Sequence, residues 1–263
     1  MPVAEVNQTR VNYQWEGPAQ GQVVMLCNSL ASNLSMWDLQ AKELVQAGYR
    51  VLRYDTRGHG DSDVPEAPYS MEMLLNDLVG LLDYLQLERV HFCGLSLGGM
   101  LGQMLGIYYP QRLNKLLLCS TAAYLGPPEM WEERMQTARS QGMQPLVQPT
   151  IDRWFTQQGQ QGLPEQVQKF KNMIQNTPVQ GFCGCCAAIR DMDLREAISG
   201  ITIPTMVVAG ELDQGTPVSE ARFIQEKIPS AQLQVIPQTA HMLNVEQAER
   251  FNSILLEFFR SKA

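Results

Sequence analysis

The sequence predicts an α/β fold in which a mostly parallel, doubly wound sheet carries an inserted helical segment. Short apolar runs rich in β-branched residues recur along the chain, and such runs are typical of strands buried on both faces of a parallel sheet. Segments with apolar residues at three- and four-residue spacing, the helical period, lie between these runs. A chain of 263 residues that is 44% hydrophobic can bury one full core with an insertion.

The predicted strands and helices alternate along the chain, which is the order of a doubly wound sheet. Apolar runs such as "VVMLC" and "LLLC" mark the strands, and Gly- and Pro-rich turns such as "RGHGDSD" separate the elements. Strands are predicted at 22–28, 49–55, 89–94, 114–120, 204–210 and 231–237. Helices are predicted at 36–47, 71–87, 97–109, 218–227 and 245–260.

The alternation of strand and helix breaks after Ala123. The following segment is rich in Gln, Met, Trp and Pro and has mainly helical spacing, and a strand signal resumes near Ile203. We therefore predict a core formed by residues 1–125 and 195–263, with a helical cap inserted at 126–194.

The charge and the N-terminal sequence exclude several classes of partner. The formal net charge is -7, with 20 Lys plus Arg against 27 Asp plus Glu, so the chain has no excess of basic residues to neutralise phosphates, and we expect no nucleic-acid partner. Residues 1–20 lack the basic and apolar regions of a signal peptide, and no run of 18 apolar residues follows. We expect a cytoplasmic protein without a membrane partner.

The six cysteines are predicted to be reduced and buried. Cys27, Cys93 and Cys119 lie in predicted strands, where a free thiol packs as a small apolar side chain. The cluster "GFCGCC" at 181–186 has three thiols and no nearby histidine, whereas a structural zinc site needs four ligands. We expect no metal site.

The stretch "FCGLSLGGMLG" at 92–102 places Ser96 between Gly94 and Gly98. The pattern follows a predicted strand and opens a predicted helix, which is the strand-turn-helix setting of a nucleophile elbow. The two glycines fit a turn in which strand and helix cross closely. Such a turn would expose the Ser96 hydroxyl at the carboxyl ends of the strands, where sites in open α/β sheets lie.

Nucleotide cofactors are not predicted at this glycine-rich turn. Gly94, Gly98 and Gly102 do not have the G-x-G-x-x-G spacing, and no acidic residue ends the next strand to hold a ribose. The chain also lacks the G-x-x-x-x-G-K-[ST] pattern of a phosphate-binding loop. We therefore expect no cofactor.

Activation of a neutral serine needs a base, and the chain has only three histidines. His91 lies within a predicted strand upstream of the elbow, and His59 lies in the loop "RGHGDS", where it can brace a turn. His241, in "PQTAHMLN", follows the last strand and precedes the last helix. Because that loop can reach the elbow, we favour His241 as the base, with His59 as the alternative.

A buried acid should hold the imidazole, and in this architecture the chain order is serine, acid, histidine. Asp213 in "GELDQGTP" lies just past a strand end and is favoured over Glu211, which lies closer to the strand. The developing oxyanion needs two backbone N–H donors. We expect them from Leu97, the residue after the nucleophile, and from Leu30 in the loop after the first predicted strand.

These residues resemble the α/β-hydrolase family, and more closely the 3-oxoadipate enol-lactonases of aromatic catabolism. The resemblance rests on "RYDTRGHGDSDVP", "GLSLGGMLGQ", "GCCAAIRDMDLR", "GELDQGTP" and "AHMLN", which occur in family order over nearly the whole chain. "NSL" at 28–30 replaces the His-Gly of most hydrolases and is similar to the enol-lactonases. Ala31 stands where the resemblance leads us to expect a glycine, and "HMLN" replaces a His-Leu-Ser-Asn type sequence.

The resemblance implies a serine hydrolase that opens a small anionic lactone with water and without a metal. Because the protein is net acidic, the carboxylate of that substrate should need a local cation. Arg134, one helical turn from Trp131, is our first choice, and Arg190 is the second; Arg153 and Trp154 lie in the same segment. Each of them could instead pack in the cap or form a surface ion pair. The competing functions are another esterase, a carbon-carbon bond hydrolase or a perhydrolase of this fold, or a binding protein without catalysis.

Overall fold

The computed structural model describes residues 2–229 and 231–261. Eight strands form one sheet in the order β1-β2-β4-β3-β5-β6-β7-β8. The strands are β1 (Val3–Val6), β2 (Thr9–Glu16), β3 (Val23–Cys27), β4 (Arg50–Tyr54), β5 (Val90–Leu95), β6 (Leu113–Cys119), β7 (Thr205–Gly210) and β8 (Ala231–Ile236).

Helices cover both faces of the sheet and the segment between β6 and β7. They are α1 (Asp38–Gln46), α2 (Met71–Tyr84), α3 (Leu97–Tyr108), α4 (Pro128–Gln141), α5 (Gln144–Trp154), α6 (Gln157–Gly162), α7 (Pro164–Asn176), α8 (Val179–Arg190), α9 (Val218–Lys227), α10 (Leu243–Glu246) and α11 (Ala248–Arg260). Short 3-10 helices occur at Leu34–Trp37, Pro110–Arg112 and Ala197–Gly200.

The predicted fold class is confirmed. The six predicted strands correspond to β3 to β8, which pair in parallel, and every residue of β5 and β7 is buried. Apolar runs without alternation are what burial on both faces requires. The helix predicted at 36–47 begins instead as the 3-10 turn Leu34–Trp37, which the Asn33 side chain caps.

The N-terminal strands were not predicted from the sequence. β1 and β2 form an antiparallel pair, and β2 also runs antiparallel to β4, with Tyr13 opposite Tyr54. In β2, which lies between β1 and β4, Thr9, Val11 and Tyr13 are buried and Arg10 is exposed, but Asn12 is buried too. The apolar–polar alternation of this segment was present in the sequence. This antiparallel pair closes one edge of the otherwise parallel sheet.

The segment between β6 and β7 contains helices α4 to α8. α4 packs against α8 and α5 against α7, and Phe170 of α7 meets the rings of Trp154 and Phe155 edge-on at 5.8 and 5.4 Å between centroids. Their apolar faces therefore form a small core of their own beside the sheet. We retain 126–194 as the proposed limits of the cap.

The six cysteines are all buried free thiols. Burial raises the pKa of Cys27 and of Cys186 to about 12, so these sulfurs stay protonated at neutral pH. Among the described residues, no group of three His, Cys, Asp or Glu side chains is arranged to hold a metal ion. No helix in the described ranges is long and apolar enough to cross a membrane.

Candidate active site

Ser96 lies in a sharp turn between β5 and α3. Its backbone has φ 56° and ψ -114°, a region that costs a non-glycine residue conformational energy. The turn is held from both sides, because the Ser96 N–H donates to the Cys119 carbonyl (2.9 Å) and Thr121 Oγ1 donates to the Ser96 carbonyl (2.9 Å). The serine is half-buried and lines a cavity at the carboxyl ends of the strands.

The glycines around Ser96 are needed because backbones approach closely there. A Cβ on Gly94 would lie 2.1 Å from the carbonyl oxygen of Gly98, and one on Gly98 would lie 2.2 Å from that of Cys27. Neither backbone oxygen can move without breaking the turn. The G-x-S-x-G pattern is therefore a steric requirement of the crossing between β5 and α3.

Asp213 and His241 are paired beside Ser96. His241 Nδ1 lies 2.8 Å from Asp213 Oδ2, and both side chains are buried. Asp213 Oδ1 accepts the N–H groups of Gly215 (2.8 Å) and Thr216 (3.0 Å), and its Oδ2 accepts Thr216 Oγ1 (2.7 Å). These bonds fix the carboxylate, which in turn fixes the imidazole with Nδ1 toward Asp213 and Nε2 free for the cavity.

The charge of the Asp213 carboxylate is stabilised in this environment. Burial acts to raise the pKa of Asp213, but the His241 ring and the hydrogen bonds from Thr216 outweigh it, so the pKa lies below its usual value. Asp213 is therefore ionised at neutral pH and can stabilise a protonated His241.

The described residues include no hydrogen bond between Ser96 Oγ and His241, although both line the same cavity. Serine–histidine bonds are often long in enzymes without substrate and tighten when substrate binds. The His241 ring stacks on the Trp154 ring at 6.3 Å and 15°. The arrangement leaves the imidazole between an anchoring carboxylate, an aromatic face and the serine.

Of the two predicted oxyanion donors, Leu30 lines the same cavity, and Leu97 follows Ser96 directly at the start of α3. The neighbouring N–H groups have partners: Gly98 N–H donates to the Asn28 carbonyl (3.0 Å), and Ala31 N–H donates to His59 Nε2 (3.0 Å). Within the described chain, the N–H groups of Leu30 and Leu97 have no acceptor. They are available to a developing negative charge, as an oxyanion hole requires.

His59 braces the loop after β3. Its Nε2 accepts the Ala31 N–H, so Nδ1 must carry the proton, and it faces the Arg57 carbonyl at 3.2 Å. Burial lowers the pKa of His59 to about 4, partly offset by the Arg57 carbonyl. Ala31 has φ 58°, a conformation that glycine adopts at lower cost, which explains why glycine was expected at this position.

His91 and Glu211 lie away from the serine. His91 packs in β5 against Phe259 at 4.9 Å between ring centroids, and neither ring nitrogen has a hydrogen-bond partner within the described residues. Burial, together with the charge of Lys115, lowers the pKa of His91 to about 4. Glu211 is exposed and accepts the Gln238 N–H at 3.0 Å.

The cavity above Ser96 has a volume of about 490 Å³. A larger groove of about 860 Å³ lies between α7 and the loops after β3 and β4, but neither Ser96 nor His241 lines it. The smaller cavity is therefore the candidate site. It is lined by Ser29, Leu30, Ser96, Met100, Tyr124, Leu125, Gly126, Met130, Trp131, Arg134, Arg153, Trp154, Ile189, Gln214, Gly215, Thr216, Pro217, Glu220 and His241.

Two arginines from the segment between β6 and β7 face this cavity without a carboxylate partner. Arg134 lies against the rings of Trp131 (4.8 Å) and Phe182 (5.5 Å), and its buried Nε has no hydrogen-bond partner in the described structure. Among the residues that the structure describes, the Arg153 side chain donates a hydrogen bond only to Thr150 Oγ1, at 3.2 Å. Burial and the charge of Arg134 lower the pKa of Arg153 to about 10, so Arg153 is charged at neutral pH. Burial also lowers the pKa of Arg134, but a guanidinium keeps its proton in proteins.

The remaining predicted cap residues are placed differently. Trp131 lines the cavity and donates its Nε1–H to the Leu125 carbonyl at 2.6 Å. Arg190 does not line the cavity, because its guanidinium pairs with Glu132 and Asp191 at the surface. The structure thus brings Trp131 and Arg134 to the serine but not Arg190.

Sequence reasoning missed two residues of the site. Thr216 donates to Asp213, and its spacing of three residues from that carboxylate was a usable signal for such a local bond. Glu220 of α9 adds a carboxyl group to the cavity wall. Burial raises the pKa of Glu220, and Arg195 partly offsets that effect. No pattern in the sequence separates Glu220 from other helical glutamates.

Comparisons with known proteins agree with this architecture. Residues 22–248 match the family model described as the alpha/beta hydrolase fold. The chain is 39% identical to 3-oxoadipate enol-lactonase 2 of Acinetobacter baylyi, over 92% of this chain and 90% of that protein. It is 35% identical to 3-oxoadipate enol-lactonase 1 of the same organism, over 95% and 93%.

A solved structure gives the same result. The crystal structure of the enol-lactonase from Burkholderia xenovorans superposes with a TM-score of 0.96 at 35% identity, covering 99% of this chain and 100% of that one. The family match spans most of the chain, and the elbow, the acid–histidine pair and the free N–H groups stand where that fold carries its chemistry. The chain therefore belongs to the α/β-hydrolase fold family and is a carboxylic-ester hydrolase.

Proposed function

We propose that the protein opens the lactone ring of 3-oxoadipate enol-lactone to give 3-oxoadipate, in the cytoplasm and in the catabolism of aromatic compounds. The observation that carries this proposal is the pair Arg134 and Arg153, two charged side chains without carboxylate partners that face the same cavity as Ser96. The names of the relatives from Acinetobacter baylyi and Burkholderia xenovorans support it.

The two arginines suit a substrate that carries one carboxylate. Two like charges in a partly desolvated cavity repel each other, and a bound carboxylate would relieve this repulsion and supply charge-assisted hydrogen bonds. Trp131 and Trp154 add flat apolar surface on the same side of the cavity, which fits a small unsaturated ring. The carboxylate would thus be held on the cap side while the ring carbonyl faces Ser96.

In the proposed acylation, Ser96 Oγ attacks the lactone carbonyl carbon while His241 Nε2 takes the hydroxyl proton. The tetrahedral oxyanion accepts hydrogen bonds from the N–H groups of Leu30 and Leu97. Collapse breaks the ring C–O bond and leaves an ester of Ser96. The ring oxygen leaves as an enolate, which departs more readily than an alkoxide and takes the proton from His241, so that His241 is neutral again and the enol then tautomerises to the ketone.

In the proposed deacylation, water attacks the Ser96 ester. His241 removes a proton from the water, and the same two N–H groups stabilise the second oxyanion. Departure of Ser96 Oγ, which recovers its proton from His241, leaves a new carboxylate. Asp213 keeps the imidazole oriented in both steps. Each step uses only side chains and backbone groups of this chain together with water.

The test compares the enol-lactone with a neutral aryl ester of similar size. Wild type should prefer the anionic lactone. Arg134→Ala should lower kcat/KM for the lactone, mainly by raising KM, and the loss should correspond to roughly 2 to 4 kcal/mol of transition-state stabilisation. The neutral ester, which has no carboxylate, should lose little. Arg190→Ala is the matched control, because Arg190 is paired at the surface outside the cavity.

Other outcomes would select other functions. A wild-type enzyme that prefers the neutral ester would remove the lactone assignment and leave an esterase, carbon-carbon bond hydrolase or perhydrolase of the same fold. A protein that turns over neither compound would point to binding without catalysis. Equal loss with both substrates in Arg134→Ala would move the carboxylate site away from Arg134.

A further inference from the structure

The Glu246 carboxylate joins the histidine loop to the segment between β6 and β7. Its Oε2 accepts the Ala240 N–H at 2.7 Å. Its Oε1 accepts both the N–H (2.8 Å) and the Oγ1–H (2.7 Å) of Thr156. Glu246 forms no ion pair with the described residues, so three neutral donors satisfy a partly buried charge.

Hydrogen bonds hold the backbone at His241 and at the residues before and after it. The N–H of Ala240, just before it, is held by Glu246, and the N–H of Met242, just after it, donates to the Trp154 carbonyl at 2.9 Å. The His241 carbonyl itself accepts Ser120 Oγ at 2.9 Å. The backbone that carries the imidazole is therefore fixed at three consecutive residues.

The bonds made by Met242 and Glu246 both reach one short stretch, Trp154 to Thr156, which runs from the last residue of α5 to the residue before α6. Trp154 also stacks its ring on the imidazole, and Thr156 caps α6 through a bond from the Gly159 N–H to its Oγ1 (2.9 Å). A Cβ on Gly159 would lie 2.0 Å from Glu246 Oε1, so the helix start is shaped around this carboxylate. Residues 154–156 therefore support the loop that carries His241.

We infer that Glu246 is a positioning residue for catalysis. It holds the Nε2 of His241 in line with Ser96 by fixing the backbone before the histidine against Thr156. Glu246 does not line the cavity, so it acts on the rate of the chemical step and not on recognition of the substrate. The inference rests on the proposed roles of Ser96 and His241 but not on the identity of the lactone.

The test uses Glu246→Gln, because an amide keeps the shape and has only one acceptor oxygen. In either orientation its NH2 group faces a donor, Ala240 N–H or the Thr156 donors, so one side of the bridge is lost. We expect the rate of Ser96 labelling by a fluorophosphonate, and kcat for a neutral ester, to fall about 10- to 100-fold. KM should stay unchanged.

Three further measurements separate positioning from a general loss of structure. The far-downfield proton resonance of the bond between His241 Nδ1 and Asp213 should shift or broaden in Glu246→Gln. Thr156→Val, which removes one donor, should give a smaller loss, and Thr156→Ser, which keeps it, should restore the wild-type rate. Glu249→Gln, an exposed glutamate at the start of α11, is the matched control.

An equal labelling rate and an unchanged resonance in a folded Glu246→Gln variant would overturn the inference. If that variant does not fold, the comparison of Thr156→Val with Thr156→Ser decides, and equal rates for those two would overturn it. Wild type that resists the fluorophosphonate altogether would instead refute the serine mechanism, so the two failures are distinguishable.

Discussion

The two walls of the cavity at Ser96 differ in whether their charged side chains are paired within the protein. On the wall formed by the sheet, the carboxylate of Asp213 has its partners in place: it accepts hydrogen bonds from Gly215, Thr216 and His241. On the wall formed by the inserted helices, Arg134 has a buried nitrogen without a partner in the described structure, and Arg153 has one hydroxyl contact. Asp213 and His241 are therefore oriented without substrate, whereas the two arginines would gain a carboxylate partner only when an anion binds.

This difference assigns separate roles to the two walls. A preorganised network costs no rearrangement when charge develops, so it serves the transition state. An unpaired buried charge raises the free energy of the empty site, and a ligand of opposite charge recovers that free energy. Changes on the sheet wall should therefore lower the rate for every substrate, whereas changes on the other wall should alter selectivity.

The largest effects should come from the proposed triad of Ser96, Asp213 and His241. Ser96→Ala and His241→Ala should each abolish most of the turnover. Asp213→Asn should lower kcat up to about 10^4-fold, because an amide in place of this carboxylate would favour the wrong imidazole tautomer. The loss should be the same for the lactone and a neutral ester. Steady-state kinetics on purified variants measures it.

Glu211→Gln is the control for the acid, because Glu211 is exposed and bonds only to the Gln238 backbone among the described residues. It should keep the wild-type kcat. A folded Asp213→Asn variant with near-normal kinetics, or a large loss in Glu211→Gln, would transfer the role of the acid to Glu211.

The second prediction concerns the acid sensitivity of the protein core beneath the cavity. His59 and His91 each have a folded-state pKa of about 4 against an ordinary 6.5, so the unfolded chain binds more protons between these values. The free energy of unfolding should fall as pH drops from 6.5 to 4, by roughly 3 kcal/mol at most for each histidine. The arginine wall does not titrate in this window.

Denaturant unfolding at several pH values measures this dependence. His91→Leu fills similar space without a titrating group, so the free energy of unfolding should change less with pH than in wild type. The fold should tolerate leucine, because neither ring nitrogen of His91 has a hydrogen-bond partner in the described structure. A variant with the slope of wild type would show that His91 does not contribute to acid sensitivity.

A smaller effect is expected from the second arginine. Arg153→Ala should lower kcat/KM for the anionic lactone by about 10-fold, or roughly 1.4 kcal/mol, and leave a neutral ester unaffected. Because Arg134 and Arg153 would share one carboxylate, the double variant should lose less than the sum of the single losses. Strict additivity in a double-mutant cycle would mean that they bind different groups.

The smallest effect concerns Ala31 in the oxyanion loop. Its positive φ costs an alanine conformational energy, so Ala31→Gly should stabilise the fold by up to about 1 kcal/mol. The bond from its N–H to His59 involves only the backbone of Ala31 and should persist, leaving kcat unchanged. Chemical denaturation tests this, and destabilisation by glycine would mean that the Ala31 methyl group packs favourably.

The sequence was most informative where local chemistry determines the structure. The buried strands and the Ser96 turn could be predicted because unbroken apolar runs and G-x-S-x-G have local causes. The β2 strand was missed because Thr9–Glu16 has no unbroken apolar run like those that marked the other strands; its polar and apolar residues alternate. The difference between Arg134 and Arg190 was not visible, since Glu132, which pairs with Arg190, lies 58 positions away in the chain.

The position of Glu220 has a consequence for turnover. The cavity carries its positive charges on α4 and α5 and a carboxyl group on α9, so its charge distribution is asymmetric. The proposed reaction converts a monoanion into a dianion, and the new carboxylate forms at Ser96, where it meets no side-chain cation of its own among the described residues. The arginines would attract one carboxylate of the product, and the Glu220 carboxyl group would disfavour the other. This would weaken binding of the product and favour its release after each cycle.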